Sequence, residues 1–256
     1  MKKLLIVVTC ICLSSISNAQ SLIGGDHILK TNLSADALQN YNVTFEKSLN
    51  HFMSLSISYA TMPKRDLPFK ELTKQFISNT NIDFDNFKVA NNAITVESRF
   101  YLGLQKMSGF YIAPYARFGN MEIEVPVNYQ YVLTPAPING VTPPSTKIST
   151  SAQFNGTIRS QSFGAYFGMQ YQLLTKLVLD FWVIGGHYGS SNGKLQFDAP
   201  EGVPAVALNS VKTIIDNTKA NPFHLNTVIS GNSVIINTDG PWAGIRGAGI
   251  TLGLRF

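Results

Sequence analysis

The chain has 256 residues, 20 Lys and Arg against 15 Asp and Glu, two cysteines, and only 14% charged residues, well below the ~25% of ordinary soluble domains. So small a positive balance gives no reason to expect a nucleic-acid partner. Ten Tyr and 16 Phe combined with low charge instead suit a fold that displays aromatic rings along an apolar boundary.

At the start of the chain, Lys2 and Lys3 precede the apolar run 4–13 and a polar stretch ending Ser17-Asn18-Ala19. This is the pattern of a secretory signal peptide, residues 1–19, cut after Ala19. The apolar run is shorter than the ~20 residues a spanning helix needs. Lipid attachment is not expected, because Cys10 and Cys12 lie inside the run and Thr9 precedes Cys10. Residues 20–256, read as one barrel domain, then keep no cysteine and have neither disulfide nor thiolate chemistry. They carry 18 basic against 15 acidic residues, a balance of +3. They contain no run of 18 apolar residues, which excludes a spanning helix but not spanning strands.

Beyond residue 38 the dominant period is two. Met53, Leu55, Ile57 and Tyr59 alternate with Ser54, Ser56 and Ser58. Ile94, Val96, Phe100, Leu102 and Leu104 share one face, opposite Thr95, Glu97, Arg99, Tyr101 and Gly103. Phe110, Ile112, Ala116 and Phe118 oppose Tyr111, Tyr115 and Arg117. Phe163, Ala165, Phe167, Met169 and Tyr171 oppose Gly164, Tyr166, Gly168 and Gln170, and Leu177, Leu179, Phe181 and Val183 oppose Lys176, Asp180 and Trp182. Each stretch is long enough to cross a bilayer as a tilted strand.

Short turns at 48–50, 105–108 and 172–175 alternate with long segments at 63–91, 125–156 and 189–243, as in a barrel with short turns at one end and long loops at the other. Parity of the connections then predicts a further strand at 27–33, linked through 34–37 to the stretch 38–47. The expected fold is all-β, an eight-stranded antiparallel up-and-down transmembrane barrel with long outer loops and no free edge. Pro114 falls inside a predicted strand and predicts a bulge or a missing ladder bond. The hairpin pattern at 223–239, with Gly231-Asn232 at its turn, is too short in each arm to span and is assigned to the outer loop rather than to a ten-stranded barrel. Residues 69–78 and 204–219 have helical spacing, and the proline-rich stretch 126–144 is expected to be extended or poorly ordered.

The last stretch, Gly244 to Phe256, places Ala248, Ile250, Leu252, Leu254 and Phe256 opposite Gly247, Gly249, Thr251, Gly253 and Arg255. A final strand closing on Phe resembles those of bacterial outer-membrane barrels, where it acts as an assembly signal. Val43-Thr44-Phe45-Glu46, Glu97-Ser98-Arg99-Phe100-Tyr101, Gly109-Phe110-Tyr111-Ile112-Ala113-Pro114-Tyr115 and Gly240-Pro241 stand in an order and spacing similar to those of a family of small Gram-negative outer-membrane barrels known only as a domain of unknown function. The resemblance implies the fold and an outer-membrane location, and no activity.

The inward faces carry Glu46, Glu97, Arg99, Arg117, Asp180 and Arg255. An eight-stranded barrel is just wide enough for side chains to fill, so these charges are expected to form a salt-bridged plug. His187-Tyr-Gly-Ser190 faintly resembles the His-x-Ser-Asn motif of outer-membrane lipid A deacylases, in which a His activates a Ser two residues away. Gly189 holds that position here, and Ser190, three away, falls on the opposite face of a regular strand unless a bulge intervenes. No cofactor or metal is expected: His27, His51 and His224 are isolated, and Asn81, Asp83 and Asp85 lack the glycine and closing glutamate of a calcium loop. The expected role is non-enzymatic, structural or interaction-based. Its partners would be outer-membrane lipid and lipopolysaccharide, and another outer-membrane or surface protein meeting loops 63–91, 125–156 and 189–243. The alternatives are a lipid A-modifying hydrolase using His187 and Ser190, a narrow pore, and a soluble lipocalin-like barrel.

Overall fold

The computed structural model describes residues 25–77, 79–103, 105–140 and 142–256. The expected signal peptide, the first residues of the predicted barrel domain and Leu104 lie outside them. In chain order the elements are β1 (His27–Asn32), α1 (Leu33–Ala37), β2 (Tyr41–Ser48), β3 (Met53–Asp66), α2 (Lys70–Phe76), β4 (Lys88–Tyr101), β5 (Gly109–Leu133), β6 (Thr146–Gln172) and β7 (Leu177–Asp198). They continue with α3 (Ala205–Asp216), β8 (His224–Ser230), β9 (Ser233–Pro241), β10 (Gly244–Arg246) and β11 (Gly249–Arg255).

Strands β1 to β7 pair antiparallel in sequence order, and β11 pairs with both β7 and β1. The protein is therefore a closed, eight-stranded, up-and-down antiparallel β-barrel. The ladder from β10 to β7 resumes in β11 with its register unchanged across unpaired Gly247 and Ala248. Strands β8 and β9 form a hairpin around Gly231, whose positive φ of 59° suits the two-residue turn. The hairpin hangs on the far half of β7, from Ser190↔Pro241 to Asp198↔Ser233, and stays out of the ring. At Pro114, β4 and β5 pair at Glu97↔Tyr115 and again at Phe100↔Ile112, with the positions between them unpaired. The missing proline N–H shows itself as an interrupted ladder rather than a register shift.

The long segments are more regular than the sequence suggests. Strands β5 and β6 pair continuously from Val125↔Phe154 to Leu133↔Thr146, so most of 125–156 is strand and the true connection is 134–145. Pro126 pairs with Gln153 inside that ladder, whereas Pro135, Pro137, Pro143 and Pro144 lie outside any strand. This part of the sheet stays folded because its inner face has a core to cover. Val125, Val127, Phe154, Leu195 and Phe197 are buried with Ala207, Leu208, Val211 and Ile215 of α3, one stripe of an amphipathic helix. The α2 loop is pinned to the same unit: the Asn79 side-chain amide donates to the Ile214 carbonyl at 3.1 Å, and Asn128 N–H donates to the Asn81 carbonyl at 2.8 Å.

The polarity of the wall inverts along its own strands. Near the short turns, Val43, Phe45, Leu55, Ile57, Ile94, Ile112 and Phe163 face outward and are exposed, while Thr44, Glu46, Ser54, Ser56, Glu97 and Arg99 face inward and are buried. Near the long loops, Asn128, Gln130, Gln153, Asn155, Asn192 and Lys194 face outward, and the buried side is Val125, Val127, Phe154 and Leu195. On β5 the outward apolar stretch runs from Phe110 to Phe118, and on β6 from Tyr171 back to Phe163.

The barrel interior as candidate functional site

A small barrel fills its interior with side chains, and here the filling near the short turns is charged. Arg99 on β4 is the hub. Its Nη1 lies 2.6 Å from Asp180 Oδ2 and 3.5 Å from Glu46 Oε2. Its Nη2 lies 3.0 Å from Glu97 Oε2, and its guanidinium stands 4.7 Å from the centre of the Tyr111 ring. Lys30 on β1 pairs with Glu46 and contacts Gln170, and it lies 3.0 Å from Asp180 Oδ2. Arg246 on β10 reaches Glu97 Oε1 at 3.5 Å and stacks on Tyr166 at 4.3 Å and Trp182 at 5.1 Å.

Each carboxylate also accepts from a buried phenol. Tyr101 donates to Glu46 at 2.6 Å, Tyr111 to Asp180 at 2.6 Å and Tyr166 to Glu97 at 2.6 Å. Ser54 donates to the same Glu46 oxygen as Tyr101, at 2.5 Å. Lys30, Arg99 and Arg246 thus face Glu46, Glu97 and Asp180, and the charges cancel. Burying ions is tolerable only under such pairing with the remaining lone pairs satisfied. The arrangement braces β1, β2, β4, β5, β6, β7 and β10 across the lumen, and every carboxylate in it is committed to a cation and a hydroxyl.

Four of the six residues singled out in the sequence meet in this network: Glu46, Glu97, Arg99 and Asp180. Arg117 and Arg255 do not join them. Arg255 lies at the turn end, donating to the Gly25 carbonyl and to Gln172 Oε1, each at 2.8 Å. Arg117 lies toward the loop end, with Nη1 3.5 Å from Thr95 Oγ1. Lys30 was missed because its strand was inferred from parity alone and given no facing. Arg246 was missed because the alternation of the last stretch breaks at Gly247-Ala248, both exposed, so that Arg246 and Gly249 face inward on either side of the break.

The structure does not bring His187 and Ser190 together. Phe167 pairs with Ile184 and Gly168 with Trp182, so Val183 is an extra residue in β7, a β-bulge. Val183 and Ile184 are both exposed, and the inward parity shifts from Trp182 to Gly185 and His187. The bulge precedes His187 and moves it together with Ser190. His187 points into the lumen, its Nδ1 3.4 Å from the Tyr115 hydroxyl. Ser190 is exposed on the outer wall beside Gln161 Nε2 at 3.4 Å. The two side chains lie on opposite sides of the sheet.

Fold and interior together define a small closed β-barrel whose lumen is crossed by a neutral charged network. A family model described as "Protein of unknown function (DUF3575)" matches residues 4–220, and the chain belongs to that family. A comparison with curated proteins finds no match. Among solved structures, the chain is similar to Acinetobacter baumannii CarO at 11% identity and a TM-score of 0.31, and to A. baumannii CarO2 at 9% and 0.32. Each similarity covers 87% of this chain and 100% of the other.

Proposed function

We propose that the protein is an integral outer-membrane barrel, exported through a cleaved signal peptide, that acts without catalysis as a structural or interaction protein. The observation that carries this reading is the inversion of polarity along single strands. An apolar outer surface over a polar interior is stable only where the outside solvent is lipid, and the reverse arrangement only where it is water. The outward apolar stretches of β5 and β6 have the ~9–11-residue length of spanning strands. Among the described residues no helix is long and apolar enough to cross a membrane, so the crossing falls to the strands.

The committed charge network supports a plug rather than a pore, and leaves the loop-end half, with α2, α3 and the β8–β9 hairpin, as the part that meets partners. Heat-modifiable gel mobility of the protein from the outer-membrane fraction tests the location. A shift between unboiled and boiled samples is expected, and an unshifted protein in the periplasmic fraction would overturn the reading. Planar-bilayer recordings test the plug. No conductance is expected from the wild type, and steady wild-type channels would replace the plug with a pore.

A further inference from the structure

Two adjoining cavities sit where the interior changes character. The one toward the loops has a volume of about 340 Å³ and an apolar lining that includes Val89, Ile123, Val127, Leu195, Ile215 and Ile236. The lining also includes Thr73 and Ile77 of the α2 loop and Thr218, just past α3. Native cores leave few voids larger than a water molecule, whereas ligand pockets begin near 300 Å³. A mostly apolar lining of this kind suits an apolar guest.

The second cavity, about 410 Å³, lies toward the charged network and is lined by Tyr115, Arg117, His187, Trp242 and Arg246. Phe223 and Trp242 line both, so the apolar chamber abuts a cationic one. The charge count there does not close. Arg246 is matched by Glu97, but Arg117 is half-buried, forms no ion pair among the described residues, and makes only the long contact to Thr95. Nearby Glu97 is already held by Arg99, Arg246 and Tyr166. One cation is left over, beside a chamber that suits an alkyl chain.

We infer that the loop-end half of the barrel binds a singly charged carboxylate with an apolar tail, a medium-chain fatty acid or a molecule of like shape. Arg117 takes the carboxylate, with Arg246 and His187 beside it, and the tail lies under α3. Neither half suffices alone: the apolar chamber has no preference among alcohols and acids, and a small anion gains nothing from it. This site goes beyond the structural role proposed above and does not depend on the membrane location.

The test uses the full chain, folded and trapped in amphipol, in equilibrium dialysis against radiolabelled decanoate, decanol and acetate, with protein-free amphipol as the blank. Decanoate is expected to bind saturably at one site, at least tenfold more tightly than decanol or acetate. Arg117→Gln, checked for a closed barrel by gel mobility, is expected to weaken decanoate at least tenfold and to leave decanol unchanged. Val89→Phe, which fills the chamber, is expected to weaken both. Absence of saturable decanoate binding, equal affinity for decanoate and decanol in the wild type, or undiminished decanoate binding by folded Arg117→Gln would each overturn the assignment. Should Arg117→Gln fail to close, the wild-type comparison of decanoate with decanol decides alone.

Discussion

Replacing Arg99 with Met removes the hub of the interior network without leaving a hole, because the methionine stem takes much of the same path. Arg99 faces Asp180 at 2.6 Å, Glu97 at 3.0 Å and Glu46 at 3.5 Å. At an effective dielectric of about 20, unit charges about 4 Å apart attract by about 4 kcal/mol, so the gross attraction lost is about 8 kcal/mol for the two nearest carboxylates. Desolvation of the guanidinium offsets several kcal/mol of this, and stripping one partner from a buried ion pair costs about 3–5 kcal/mol net. The variant leaves Lys30 and Arg246 facing three carboxylates. Asp180→Asn alone should cost about 3 kcal/mol through the opposite imbalance. Arg99→Met combined with Asp180→Asn leaves two matched pairs, Lys30 with Glu46 and Arg246 with Glu97. The double variant is therefore expected to cost about 3 kcal/mol rather than the ~6–8 kcal/mol of the summed singles, a coupling of about 3 kcal/mol or more, at or above the top of the range neighbouring sites show. Urea unfolding in lipid vesicles, tracked by Trp fluorescence with gel mobility as the check on closure, measures all four forms. A double variant that costs the sum of the singles, or an Arg99→Met within about 1 kcal/mol of wild type, would refute the network as a balanced plug.

Ile57→Arg, in the middle of the outward apolar face of β3, is expected to cost about 2–4 kcal/mol in vesicles, whereas Gln153→Arg on the polar outer wall should stay within about 0.5 kcal/mol; equal costs would dissolve the lipid boundary. Gly168 has no room for a methyl group, since an added Cβ would lie 2.4 Å from the Tyr111 hydroxyl. Gly168→Ala is expected to cost about 1–3 kcal/mol by overpacking, and less in a Tyr111→Leu background, where the Phe181 carbonyl oxygen, 2.7 Å from the added Cβ, keeps part of the clash; an undiminished cost there would place the clash at that carbonyl alone. In the α2 loop, the Asn86 side chain and the Asp85 and Asn86 amides bond the Asp83 carboxylate and hold it below its usual range. A depressed carboxylate contributes stability above the unfolded value of about 3.9 and loses it as pH falls through the folded value. Amide protection at Asp85 and Asn86 should therefore be steady from neutral pH down to about pH 5 and then fall, with Asp83→Asn low and flat throughout; identical profiles would remove Asp83 as the cause.

The ring of eight strands was legible because two signals agreed, the period-two faces and the alternation of short with long connections. Neither signal reaches across an irregularity. Val183 and Gly247-Ala248 sit opposite one another on β7 and the last strands, and both shift the facing of the residues beyond them. A register carried through from either side therefore assigns Arg246 to the wrong face and makes His187 look like a lipid-facing residue. The loop-end sheet was missed for another reason. Val125, Val127, Tyr129 and Tyr131 continue the alternation of β5, but Pro126 and the prolines after it argue against a strand. Proline is tolerated where a ladder position can forgo its donor, and the α3 stripe that this face covers lies some 80 residues further along the chain.

The inversion of polarity also explains why the charged residues separate as they do. Below the level of Thr95 the interior is polar, and a buried charge finds hydroxyls and opposite charges on neighbouring strands. Above it the inner face becomes a mostly apolar core of the kind soluble proteins build, with a few buried hydroxyls such as those of Ser191 and Thr238 and no opposite charge among its described buried residues. Arg117 stands at the change and lines the cavity that shares Phe223 and Trp242 with the apolar chamber. Moved two residues toward the turns it would pair with Glu97, and moved two toward the loops it would stand between Ala93 and Ser160. A cation held at that level is costly to the fold unless an anion completes it, and the proposed carboxylate would complete it in the cavity that shares Phe223 and Trp242 with the apolar chamber.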